Sequence, residues 1–243
     1  MITFEYPLNE KNRSYLRFEL LFLQIQKSMT FAHESDSTAF FKALFELLEL
    51  SERSDIRHDL LKDLRRLSEQ MSSWLTLAQV DHGAVSALIS EIDLLTNAIL
   101  TMPKQSRYFK NNRFLNSLKQ RFFIPSGCCN FDLPQFHFWS CSDLTKRQQD
   151  AQKWFSYFAG LEQALTLFLK IKRSQGISSK QIAAKGFYQE EAENSGFIAI
   201  KVKKDQAAYP MISGHKNRFS VRFISTDEQN DSSLNIPFQQ IIC

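Results

Sequence analysis

The apolar residues of this chain change their period near Gly176, and that change limits the fold more than any other feature. Before it they recur every three or four positions, the period of an amphipathic helix; after it they alternate, the period of a half-buried strand. Leu60, Leu64, Leu67, Met71 and Trp74 follow one such helical seam, and Val85, Leu88, Ile92, Leu95 and Ile99 follow a second. Two matched seams across a short connection predict an antiparallel helix pair, a pattern that more often serves intrachain core than a dimer contact. Asp81 is placed to cap the second of these helices, and Pro103 closes it. Asn9 predicts the cap of an earlier helix running to about Met29, with Tyr15, Phe18, Leu21, Phe22 and Ile25 inside. Ser35 to Ser37 offer caps for a helix that buries Phe40, Phe41, Leu44, Phe45, Leu47 and Leu48. The segment 104–122 reads as a further helix, and a long one resumes after Asp143 and stops at Gly176.

Strands are expected over 3–6, 186–189 and 198–202, and at 209–212 with 218–224 as a hairpin around Gly214. A last strand carries Leu234, Ile236 and Phe238, with Pro237 best suited to an edge. Residues 130–139 alternate Phe131, Leu133, Phe136 and Phe138 and read as an inserted strand returning to the same sheet. The predicted class is α+β: a mostly helical domain (9–122 plus 143–176) packed beside an antiparallel β domain (1–8 plus 123–142 plus 177–243), with the chain crossing between them.

Charge is uneven. The net charge is +4, but residues 31–103 hold twelve acids and six bases, whereas 104–122 hold Lys104, Arg107, Lys110, Arg113, Lys119 and Arg121 with no acid. Residues 201–222 hold six bases against Asp205 alone. The basic stretches would attract an anionic partner. With 7 Gly in 243 residues there is no GxGxxG and no Walker sequence to cradle phosphate. Cys128, Cys129, Cys141 and Cys243 form neither a disulfide framework nor paired zinc ligands, and the five His are scattered, so no metal and no cofactor is expected. No nucleophile elbow or acid–base constellation stands out, and the chain does not read as an enzyme. The first residues do not read as a signal peptide and no apolar run approaches a membrane span, which predicts a cytoplasmic protein.

The stretch from Ser213 to Phe223 is the strongest candidate for a site. From Arg218 onward polar and apolar residues alternate, so Phe219, Val221 and Phe223 point to a core, and Lys216, Arg218, Ser220 and Arg222 point away from it. Three cations on one strand face are either a solvated surface or a binding face. Arg suits two-pronged capture of carboxylates or phosphates. Arg13 and Arg17, four apart, share a polar helix face.

Three runs resemble the ZapD family of bacterial cell division proteins: Tyr6-Pro7-Leu8-Asn9-Glu10-Lys11, Ile124-Pro125-Ser126-Gly127-Cys128-Cys129-Asn130-Phe131-Asp132-Leu133-Pro134, and Ser213-Gly214-His215-Lys216-Asn217-Arg218-Phe219. Their order, their spacing and the chain length also fit. The loops 190–208 and 225–234 do not align, and no role is carried onto them. The resemblance implies a homodimer formed through the helical domain. It also implies that the protein binds the C-terminal tail of FtsZ, cross-links and bundles FtsZ filaments, and is recruited to the division site at mid-cell. It places tail binding in a basic pocket near the junction of the two domains. Matched position by position, that role falls on Arg218 and Arg222, then Arg113, Arg53, Arg13 and Arg17, with Lys216 and His215 adjoining the matched run.

A different class, a basic single-stranded nucleic-acid-binding protein, stays open, since basic strands with aromatics can stack bases. Against it, Phe219, Val221 and Phe223 project away from the cations, and the first 103 residues are acidic, which would repel a phosphate backbone.

Overall fold

The computed structural model describes residues 1–103, 105–215, 218–226 and 235–243. A first strand is followed by helices and then by antiparallel strands, an α+β fold. The chain divides into two compact units, one made of Arg17–Leu167 and the other of Met1–Leu16 with Phe168–Cys243.

Helix starts follow the side chains that satisfy free backbone N–H groups. Asn9 Oδ1 accepts from the Asn12 N–H at 2.9 Å ahead of α1 (Glu10–Ser28). At the start of α2 (Glu34–Arg53) the His33 N–H donates to Asp36 Oδ2 at 3.0 Å. Helix α3 (Ile56–Trp74) packs against α4 (His82–Thr101), which starts where Asp81 Oδ1 accepts from the Ala84 N–H at 3.0 Å. Leu60, Leu64, Leu67 and Met71 are buried on α3, and Val85, Ile92 and Ile99 on α4. Contrary to the sequence reading, α4 is long and apolar enough to meet the length and composition of a membrane-crossing helix, and 17% of that stretch is buried. Leu94 (71% exposed) and Leu100 (63%) stand on its open side.

The basic segment expected to be one helix is two, α5 (Gln105–Asn111) and α6 (Arg113–Arg121). Asn112 breaks them because its Oδ1 accepts from the Leu115 N–H at 3.1 Å and begins the second. The inserted strand is also corrected: residues Pro134–Ser140 form helix α7. Proline fits the first helical position, where its missing N–H costs nothing. Phe136 and Trp139, three apart, then share a face, and both rings pack on Phe41, at 5.7 and 5.0 Å between centroids. This segment lies within the unit Arg17–Leu167. Phe41 is fully buried and is also met by the rings of Phe45, Phe114, Phe122 and Trp154. Much of the chain's Phe content is used here. Helix α8 (Leu144–Phe155), a 3-10 turn at Ser156–Phe158 and α9 (Ala159–Ser174) stand where one long helix was expected.

The β unit holds β1 (Ile2–Pro7), β2 (Ile177–Ala183), β3 (Phe187–Glu191), β4 (Phe197–Val202), β5 (Ala208–His215), β6 (Arg218–Ser225) and β7 (Ile236–Ile242). They form two antiparallel sheets, in the orders β1-β4-β7-β2 and β3-β6-β5. Both sheets contribute to one core. Ile198, Ile200, Val202 and Phe238 come from the first, and Phe219, Val221 and Phe223 from the second. Arg173 on α9 grips Glu5 on β1 through two hydrogen bonds, of 2.8 and 2.7 Å.

Pro237 was expected at an edge, but β7 lies inside its sheet. The strand tolerates it because β4 pairs only with the stretch from Gln239 to Ile242, leaving Pro237 a ladder partner on one side alone. The hairpin is also longer than expected. Gly214 lies within β5, opposite Phe219, rather than at the turn.

Candidate functional site

Alternation along β6 settles which way each side chain faces. Phe219, Val221 and Phe223 are buried to 1% exposure or less, and Arg218 and Arg222 stand on the open side of the three-stranded sheet. Residues paired across an antiparallel ladder share a face, so register fixes their neighbours. Arg222 sits between Phe187 on β3 and Met211 on β5. Ser220 sits between Gln189 and Ser213, and Arg218 between Glu191 and His215. Ile224 pairs with Tyr209.

The face therefore differs from end to end. Around Arg222 it is apolar: Phe187 is 45% exposed, Met211 58% and Tyr209 42%. Among the described residues Arg222 has no hydrogen-bond or ion-pair partner. In the middle it is neutral and polar, with the Ser213 and Ser220 hydroxyls 2.8 Å apart. At the other end, Arg218 donates to the Gln189 side-chain oxygen from Nη2 at 3.1 Å and Nε at 3.2 Å when that amide is oriented to receive it. Arg218 is thus held in place, and Arg222 is free to take a ligand.

Arg13 reaches this sheet indirectly. Its guanidinium lies over the Tyr6 ring, 5.7 Å from the centroid, and pairs with Glu10 at 3.1 Å. Hydrogen bonding to Tyr6, then to Glu10, raises its pKa above the ordinary arginine value. The Tyr6 hydroxyl in turn accepts from the Gly214 N–H at 3.3 Å. Arg13 and the end of the hairpin are therefore joined through one tyrosine.

The remaining cations belong to the helical unit. Arg17 is exposed on α1. Arg53, at the end of α2, is exposed and ion-paired with Glu49. Arg113 is exposed at the start of α6. In the helical unit a groove of about 330 Å³ is lined by Leu48, Phe109, Lys110 and Leu115, and by Glu52 and Lys119, which pair at 3.6 Å. Lys216 and the side chain of His215 lie outside the described residues. Among the described residues no group of three or more His, Cys, Asp or Glu side chains gathers to hold a metal.

Phe187, Met211 and Tyr209 are the residues of this open face that sequence reasoning missed. Their signal was the register: pairing Gly214 with Phe219 places Met211 opposite Arg222, whereas a turn centred on Gly214 does not. Their presence also removes one argument made against nucleic-acid binding, because two aromatic rings share the face of the cations.

A family model described as ZapD, cell division protein, matches residues 16–222. Similar chains over the full length include proteins called "Cell division protein ZapD" from three organisms. The one from Shewanella baltica is 39% identical over 246 residues, covering 100% of this chain and 98% of the relative. The one from Vibrio atlanticus is 37% identical over 245 residues, with 100% of both chains covered. That from Vibrio cholerae is 36% identical over 240 residues, covering 99% and 98%.

Proposed function

The chain belongs to the ZapD family of cell division proteins, and from that premise we propose that it is a non-enzymatic scaffold of the division ring. In this reading it binds the C-terminal tail of FtsZ and, as a cytoplasmic homodimer recruited to mid-cell, cross-links and bundles FtsZ filaments. The relatives are named for cell division and not for a catalysed reaction. The observation that carries the reading is the open face of β6. It presents Arg218 and Arg222 outward, with an apolar surround at the Arg222 end. A tail that mixes carboxylates with apolar side chains needs cations to orient it and apolar surface to hold it.

Tail binding is proposed for Arg218 and Arg222 first, then for Arg13, Arg17, Arg53 and Arg113, with Lys216 and His215 adjoining. Dimerisation is proposed for the helical unit. The open side of α4 supports it: Leu94 and Leu100 are exposed, and the helix carries Glu91 and Asp93 but no Lys or Arg. Exposed apolar side chains of this kind suit a contact with a second copy.

The test is titration of an isolated FtsZ tail peptide into the protein. Wild type should bind, and the double variant Arg218→Glu/Arg222→Glu should not. Both side chains face solvent, so the variant should keep its circular dichroism and its oligomeric state. A folded double variant that binds as well as wild type removes the site.

A further inference from the structure

Resting on that reading, we infer that Phe187 and Met211 make the Arg222 end of the sheet a specificity pocket for a large apolar side chain adjoining a carboxylate, while Arg218 reads a second carboxylate along the same segment. The polarity of the face carries this. One register row places Phe187, Arg222 and Met211 side by side, and both flanking side chains are about half exposed. Cross-strand neighbours stand about 5 Å apart, so an apolar group touching both rows of atoms lies within reach of the guanidinium between them. Arg218 lies four residues further along β6, about 13 Å away at the strand rise. Its neighbours there are Glu191, Gln189 and the hydroxyls of Ser213 and Ser220.

A ligand that fits both ends is an extended peptide with two acids four residues apart and an apolar residue beside only one of them. A uniform polyanion fits worse, because its charge at the Arg222 end would meet Phe187 and Met211 rather than more cations. The apolar contact also adds affinity that salt does not screen.

Two synthetic peptides of equal charge test this, each with two Asp four residues apart and either Leu or Ser beside one of them. Wild type should prefer the Leu peptide about tenfold, the worth of one partly buried apolar side chain. In Phe187→Ser/Met211→Ser the preference should vanish while the salt dependence of binding stays as in wild type. Phe187→Leu, which keeps apolar surface, should keep the preference and controls for folding. Equal binding of the two peptides by wild type overturns the inference, and so does binding of neither. Tighter binding of oligo-dT than of either peptide, lost in Phe187→Leu, overturns it in favour of base stacking. If wild type discriminates but ignores FtsZ filaments with and without their tails, the specificity stands and the partner is a different acidic–apolar segment.

Discussion

A side chain at Gly214 would be crowded. A Cβ there would lie 3.0 Å from Phe219 Cβ, 3.1 Å from the Arg218 carbonyl oxygen and 3.1 Å from Leu8 Cδ2. Two of those neighbours belong to β6, the strand that presents the cations. Gly214→Ala should therefore destabilise by about 1–3 kcal/mol, the usual cost of overpacking, read as a lower urea midpoint. A second residue-scale prediction concerns Tyr188, whose hydroxyl donates to Glu190 at 2.7 Å beneath the sheet. Burial first, then the Glu190 carboxylate, push its pKa up to about 12. The unfolded value is about 10, so the folded state binds the proton more tightly. The associated stability is present below about pH 10 and is lost as pH rises toward about 12. Tyr188→Phe should flatten that alkaline decline, measured as urea midpoints at about pH 9 and about pH 11.

At the scale of elements, the helical core converges on one ring of α2. Phe41→Ala should cost about 3–5 kcal/mol, because it removes a fully buried ring from an aromatic cluster drawn from several helices. A thermal or urea midpoint indistinguishable from wild type would contradict that packing. This core was legible in the sequence wherever helical spacing and caps agreed, as at Asn9, Asp81 and the α3 seam. It was not legible at 130–139. There the step from Leu133 to Phe136 is three residues, and a proline that could end a strand instead begins a helix. The outward direction of Arg218 and Arg222 was legible from alternation alone. Their apolar neighbours were not, since those depend on which residue on β5 faces which on β6. Placing Gly214 inside β5 instead of at the turn changes every such pair.

For the molecule as a whole, the proposed work depends on two sites per assembly. Ordering a disordered tail costs roughly 2–5 kcal/mol, so one site alone should bind modestly. A dimer facing a polymer with many tails makes the second contact intramolecular, and avidity rises on the order of a hundredfold or more. Leu94→Glu/Leu100→Glu on α4 should then separate the two functions. Sedimentation should show a folded monomer with unchanged affinity for a single tail and no capacity to bundle. The most direct measurement is co-pelleting with assembled FtsZ beside FtsZ lacking its C-terminal tail. The protein should pellet and bundle with the tailed polymer only. Pelleting equally with both polymers, or with neither, would contradict it.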